Sequence, residues 1–135
     1  MLNLEPMAAQ AANSMVDLKD AKTSENTITK ALAVLTEQGV YAFGLFLATR
    51  NKKEENAVTL IDAQIRNLLR DTGLYTETTR DKATYYRGIS APRGQETPVE
   101  ALHRLLLTKQ LMEITLTYAR YHANARYHAK AMNHD

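Results

Sequence analysis

Apolar residues recur along the chain at three- and four-residue spacing, the period of a helix buried on one side. Leu4, Ala8, Ala11, Met15 and Leu18 predict a first helix over residues 6–22, with Pro6 in its first turn, where a missing N–H costs nothing. Ser24 has the chemistry of an N-cap for a second helix, whose apolar face is Ile28, Leu32 and Leu35, widened by Ala31 and Val34. Gly39 interrupts it. The run Val40 to Ala48 is apolar almost all round, which predicts a helix in the middle of a bundle. A buried strand is the alternative, but no second strand candidate exists to pair with it. A charged break from Arg50 to Asn56 leads into a helix over residues 54–72, with Val58, Ile61, Ile65, Leu68 and Leu69 inward, Asp62 and Arg66 four apart, and Gly73 placed to cap its end.

Residues 74–97 lose the helical period, except for a short helix expected over 79–86; a loop this long in a compact domain is usually functional or mobile. Thr97-Pro98-Val99-Glu100 then combines an N-cap Thr, Pro at the first helical position and Glu at the third, a capping box. The helix it starts runs to about residue 130 without Gly or Pro. At 100° per residue it has two apolar faces: Leu107, Leu111, Ile114, Tyr118, Tyr121 and Ala125 on one side, Leu105, Met112, Leu116, Ala119 and Ala123 nearly opposite. Such a helix is either central in its bundle or presents one side to another subunit. Ala119–Ala123 and Ala125–Ala129 repeat the pattern Ala-Arg-Tyr-His-Ala at an offset of six, so the copies point in different directions.

These elements predict an all-α protein: a single compact bundle of about five to six helices over residues 1–135, with a long central C-terminal helix and residues 74–97 as a loop or short helix. The length suits one domain. Lysine and arginine number 17 against 15 acidic residues, a net charge of +2, so an anionic partner must be met by a local patch. Cysteine is absent, which excludes disulfides, thiol nucleophiles and cysteine-bound zinc. The N-terminal residues lack a basic-then-apolar leader, and the longest apolar run is far short of the roughly 20 residues of a membrane span, so a cytoplasmic protein with no membrane contact is expected.

Candidate chemistry is sparse. His103, His122, His128 and His134 show neither a pair four apart nor a Glu-x-x-His motif, so they read as solvated or hydrogen-bonded, and no metal or cofactor is expected. Nor is there a Gly-x-Ser-x-Gly motif or a phosphate-binding glycine loop. His122 and Arg126, four apart on one stripe, form a conceivable acid–base pair on RNA, but the same pair is common on solvated helices, and no catalytic residue is expected. Basic clusters say more. Arg50, Lys52 and Lys53 sit at a helix junction. Arg80, Lys82, Arg87 and Arg93 are interleaved with Tyr75, Tyr85 and Tyr86, a pattern that suits phosphate contact and base stacking. Arg120, Arg126 and Lys130 lie in a stretch, Ile114 to His134, that holds no acid. That last group equally describes a solvated helix end favoured by the helix dipole.

The segment from Gln38 to Leu47, followed by a basic residue at Arg50, resembles the small all-helical subunit of type III-B CRISPR (Cmr) effector complexes. The helix with Ile65, Leu68 and Leu69 is similar to that family's next one, and Leu116 to Ala123 resembles its closing aromatic-and-basic helix; the likeness covers residues 24–72 and 98–130. It implies a non-catalytic scaffold subunit that stacks in copies along the path of guide RNA and target RNA and touches other subunits of the complex. Arg50, Lys52, Lys53, Arg120, Arg126 and Lys130 are then the candidate RNA contacts. The competing readings are a small helical subunit of another CRISPR type, a homo-oligomeric nucleic-acid-binding bundle, and a small enzyme acting on RNA through His122 and Arg126.

Overall fold

The computed structural model describes residues 4–17 and 19–132, with the side chains of all but Lys130 and Ala131. Among the described residues six α-helices follow one another: α1 (Leu4–Ser14), α2 (Ala21–Gln38), α3 (Val40–Ala48), α4 (Glu55–Asp71), α5 (Lys82–Ile89) and α6 (Pro98–Met132), with a 3₁₀ turn, Lys52–Glu54, before α4. Among the described residues there is no strand, and the all-α bundle with a long C-terminal helix is what the hydrophobic period predicts.

The first helix is shorter than its apolar spacing suggests. The Asp17 carboxylate accepts from the Lys19 N–H at 2.9 Å, a local turn that competes with helix continuation. Met15 and Val16 stay buried beyond the helix end, while Leu18 lies outside the described residues. The cap of α2 is also not Ser24. Asp20 takes that position, accepting from the Thr23 N–H at 3.1 Å. Ser24 is buried inside the helix, and its hydroxyl accepts from the Asp17 N–H at 3.0 Å, so it ties the α1–α2 connection to α2. Asp20 and Ser24 both have capping chemistry, and spacing along the chain does not rank them.

Gly39, with φ of +98°, breaks α2 from α3 in a conformation that side chains disfavour. The α3 helix is at the margin of the bundle, contrary to the central place its composition predicts. Val40, Phe43, Gly44 and Leu47 are buried against α2 and α5, whereas Tyr41, Leu45 and Ala48 are exposed. Only one side of a nine-residue helix is needed to close this corner. Downstream, α4 carries the predicted face, with Val58, Ile61, Ile65, Leu68 and Leu69 buried, and Gly73 follows its end at φ +74°.

The 74–97 segment is structural. It contains α5, three residues later than expected, and its three tyrosines are all buried: Tyr75, Tyr85 and Tyr86 stack edge-to-face at 5.0 and 4.9 Å, and Phe43 meets Tyr86 at 5.1 Å. The Tyr86 hydroxyl donates to Asp62 at 2.8 Å. Arg66 lies over the Tyr85 ring, pairs with Asp62 at 3.0 Å and donates to the Thr79 carbonyl. Arg104 pins the end of the segment to α6: it pairs with Glu96 at 3.0 Å and donates to the carbonyls of Ile89 and Ala91 at 2.8 and 2.7 Å.

The capping box at α6 forms as predicted. The Glu100 N–H donates to the Thr97 hydroxyl at 3.2 Å, and the Thr97 N–H donates to Glu100 at 3.3 Å. Of its two apolar faces, one is the core: Met112, Leu116, Ala119 and Ala123 are fully buried against α1 and α2. The other is split. Leu111 is buried, but Leu107, Ile114, Tyr121 and Ala125 are exposed, as are Val99, Leu102 and Leu106.

Candidate nucleic-acid interface

The fold sorts the basic residues into two populations. Arg66, Arg70, Arg93, Arg104 and Lys109 all pair with carboxylates, at 3.0 to 3.8 Å. Arg93 additionally lies over the Tyr75 ring. The tyrosine-rich basic segment is therefore not a base-stacking surface. Its aromatic faces are in the core, and Arg66 and Arg93 cover them. Burial pushes the phenols of Tyr75, Tyr85 and Tyr86 above the usual tyrosine range, as expected for hydroxyls shut away from water.

The second population forms no ion pair among the described residues: Lys19 lies in the α1–α2 connection, Lys22 and Lys30 on α2, Arg80, Lys82 and Arg87 in the 74–97 segment, and the five that the sequence singles out are Arg50, Lys52, Lys53, Arg120 and Arg126. Of these five, Lys52, Lys53, Arg120 and Arg126 are exposed. The side chain of Lys130 lies outside the described residues. Two hydrogen bonds show that these groups, 70 residues apart in sequence, come to one end of the bundle. Thr27 on α2 donates to the buried Glu54 of the 3₁₀ turn at 3.1 Å, and Asn124 on α6 donates to Glu25 of α2 at 2.9 Å. Glu25 and Thr27 are two residues apart, about 200° around the helix. The first turns of α2 are thus held between the Arg50–Lys53 junction on one side and the end of α6 on the other.

Each element places its cations for a local reason. Asn51 caps the 3₁₀ turn by accepting from the Glu54 N–H at 3.2 Å, which leaves Lys52 and Lys53 in the solvent. The Arg50 guanidinium lies 4.1 Å over the Phe46 ring, and its Nε is buried without a hydrogen-bond partner. That ring contact orients the group and engages no acceptor. Arg120 is one turn before Asn124, on the flank of α6 toward α2. Arg126 is rotated 120° from Arg120, onto the side that carries Ala119 and Ala123, but one turn past the last buried position, so it overhangs the end of the bundle.

Sequence reasoning missed Lys22 and Lys30. With Asn26 they make an exposed i, i+4, i+8 stripe on the outer face of α2, between the two groups. Their spacing was legible, but only the flanking contacts show that this stripe joins two others. Of the carboxylates nearby, Glu25 and Glu54 are held by Asn124 and Thr27, while Glu55 and the α2 cap Asp20, which accepts from the Thr23 N–H, are exposed beside the band. A row of cations on rigid helices, with Glu25 and Glu54 turned to internal bonds, suits the regularly spaced charges of a phosphate backbone.

His122 and Arg126 are both exposed, and no hydrogen bond joins them. His122 lines a shallow depression with Glu5, Pro6, Ala9 and Tyr118, in which the Tyr118 hydroxyl donates to Glu5 at 2.8 Å. That bond to a carboxylate raises the Tyr118 phenol above its usual range, which disfavours it as a base. Among the described residues no three His, Asp or Glu side chains come close enough to hold a metal ion, and His134 lies outside them. No described helix is long and apolar enough to cross a membrane.

No protein-family model, curated protein or solved structure matches this chain.

Proposed function

We propose that the chain is a non-catalytic helical subunit of an RNA-guided effector complex of the type III-B CRISPR kind, working in the cytoplasm. It contacts guide and target RNA through the band formed by Arg50, Lys52, Lys53, Lys22, Lys30, Arg120 and Arg126, and meets neighbouring subunits, including copies of itself, through α6. The observation that carries this reading is the meeting of cations without ion pairs from three elements, the Arg50–Lys53 junction, the outer face of α2 and the end of α6, at one end of the bundle, beside the uncovered apolar side of α6. The resemblance of residues 24–72 and 98–130 to the small subunit of such complexes supplies the particular assembly. The sparse chemistry near His122 favours a role in holding RNA rather than cutting it.

The test is reconstitution with the effector subunits and a guide RNA. Reversing Arg120 and Arg126 to Glu is expected to weaken target-RNA retention while leaving helical content intact, and to lower cleavage only in proportion to binding. Cleavage abolished with affinity unchanged favours the enzyme reading. A chain that fails to enter the complex at all contradicts the scaffold reading and leaves a nucleic-acid-binding bundle of another kind.

A further inference from the structure

The exposed side of α6 is a narrow row: Val99, His103, Leu106, Gln110, Ile114, Thr117 and Tyr121, at steps of four and three. Helix α1 borders it on one flank, where Leu4, Leu107, Leu111, Ile114 and Tyr118 line a groove of about 360 Å³, and α2 borders it on the other. The ends of the row are 22 positions apart, about 33 Å of helix. Its exposed apolar residues include Val99, 62% exposed, Leu106, 54%, and Tyr121, 70%. Isolated exposed apolar side chains are ordinary, but Val99, Leu102, Leu106, Leu107, Ile114 and Tyr121 are all exposed along this one side of α6, and such a run marks a protein contact.

We infer that the occupant of this row is the same row of a second copy, packed antiparallel about a two-fold axis at Gln110. The pattern is self-complementary. Antiparallel mates in the central row have numbers that sum to 220, so Val99 meets the partner's Tyr121, Leu106 meets the partner's Ile114, and Gln110 meets the partner's Gln110. The amide at the centre can both donate and accept, so it is satisfied by its own copy. On the flank toward α2 the mates of an antiparallel helix pair are displaced by two positions. Lys109 therefore faces the partner's Glu113, and Glu113 faces the partner's Lys109. Within one chain these two already approach to 3.8 Å, so pairing builds a four-membered ring of alternating charge. On the opposite flank the displacement reverses, and Leu107 is carried toward the groove beside the partner's Leu111. A parallel pair would instead set the α2 flank of one copy against the α1 flank of the other, so Lys109 and Glu113 would face the partner's Leu107 and the partner's Leu111 and find no opposite charge. The contact is one helix wide, so it belongs with small, transient interfaces, in dissociation constants of the micromolar range. This inference rests on α6 as the face that meets a neighbouring subunit, and is independent of the RNA reading.

The test uses the full chain, whose lack of cysteine makes it a clean background for single cysteines. By sedimentation equilibrium the protein is expected to be a dimer at about 100 µM and to dissociate on dilution, and Leu106→Glu to be monomeric with the same helical content. Lys109→Glu is expected to weaken the dimer by about fivefold, and Lys109→Glu with Glu113→Lys to restore it. Under mild oxidation Gln110→Cys should form a disulfide dimer of twice 15.2 kDa, whereas Val99→Cys should pair only when mixed with Tyr121→Cys. A monomer at about 100 µM, a Leu106→Glu dimer, or self-crosslinking of Val99→Cys as readily as Gln110→Cys would overturn the inference. If Leu106→Glu fails to fold, the cysteine pattern decides alone. Failure of the RNA reading would show instead in RNA retention, which none of these measurements touches.

Discussion

A hydrogen atom in place of a methyl group at position 44 sets how closely α3 approaches α5. A Cβ there would lie 2.6 Å from the Cβ of Tyr86, an atom fixed to the backbone that cannot swing aside. Alanine in a helix is ordinarily worth about 1 kcal/mol over glycine. Here the overlap, at about 1–3 kcal/mol for a forced core, outweighs that gain. Gly44→Ala is therefore expected to lower the unfolding temperature, and a rise would show that α5 can shift without cost. Tyr86→Phe removes the bond to Asp62 at 2.8 Å and should cost about 1.5 kcal/mol by denaturant titration, because the acceptor is charged. At this scale the sequence is only partly readable. The Asp62–Arg66 pair follows from spacing alone. Burial of Tyr75, Tyr85 and Tyr86 does not: tyrosines among arginines have one composition whether the rings face a base or a core. The choice between Ser24 and Asp20 as cap likewise turns on a bond to Asp17 that folding creates.

Among the elements, α6 shows why a helix with two apolar faces is ambiguous in sequence. Leu116 and Leu106 have the same side chain, but one is fully buried and the other is 54% exposed. Leu116→Glu is expected to unfold the chain, because it buries an unpaired charge, while Leu106→Glu should leave the thermal midpoint within experimental scatter. Comparable destabilisation by both would mean that α6 is enclosed within one chain. The period places both residues on apolar faces, and only the docking of α1 and α2 decides which face is core. The same limit explains α3, whose nine apolar residues look central but need cover on one side only. Local signals survive folding better. The capping box at Thr97 forms as written in the sequence, and Thr97→Ala is expected to cost about 1 kcal/mol.

For the molecule as a whole, stability should fall at both ends of the pH scale. Hydrogen bonds from Thr84 hold Asp81, and the bond from Arg104 holds Glu96, below the usual carboxylate range. The unfolded chain therefore takes up more protons as pH drops through about 4, and stability present above that range is lost. The buried phenols act in the opposite direction: their raised values keep them protonated in the fold, so stability is lost as pH rises past about 10, where the unfolded chain ionises. Phenolate absorbance from these three residues should appear together with the loss of helical signal, and its appearance well before unfolding would show that the rings are reached by solvent. Assembly of the basic band is also a property of the whole. Arg50, Lys52, Lys53, Arg120 and Arg126 are visible as cations in the sequence, but not that Glu25 and Glu54 are drawn into bonds while Lys22 and Lys30 bridge the gap.

That band carries the central claim, and the most direct measurement is fluorescence anisotropy of a labelled single-stranded RNA titrated with the full chain at several salt concentrations. Weak binding is expected, with log affinity falling linearly in log salt by about 0.7 for each phosphate neutralised. Reversing Lys22, Lys53 and Arg120 to Glu should abolish it, while reversing the exposed Arg70 and Arg87 on other parts of the fold should leave affinity and slope largely unchanged. Equal losses from the two sets, or full affinity in the first, would contradict a nucleic-acid surface at this end of the bundle.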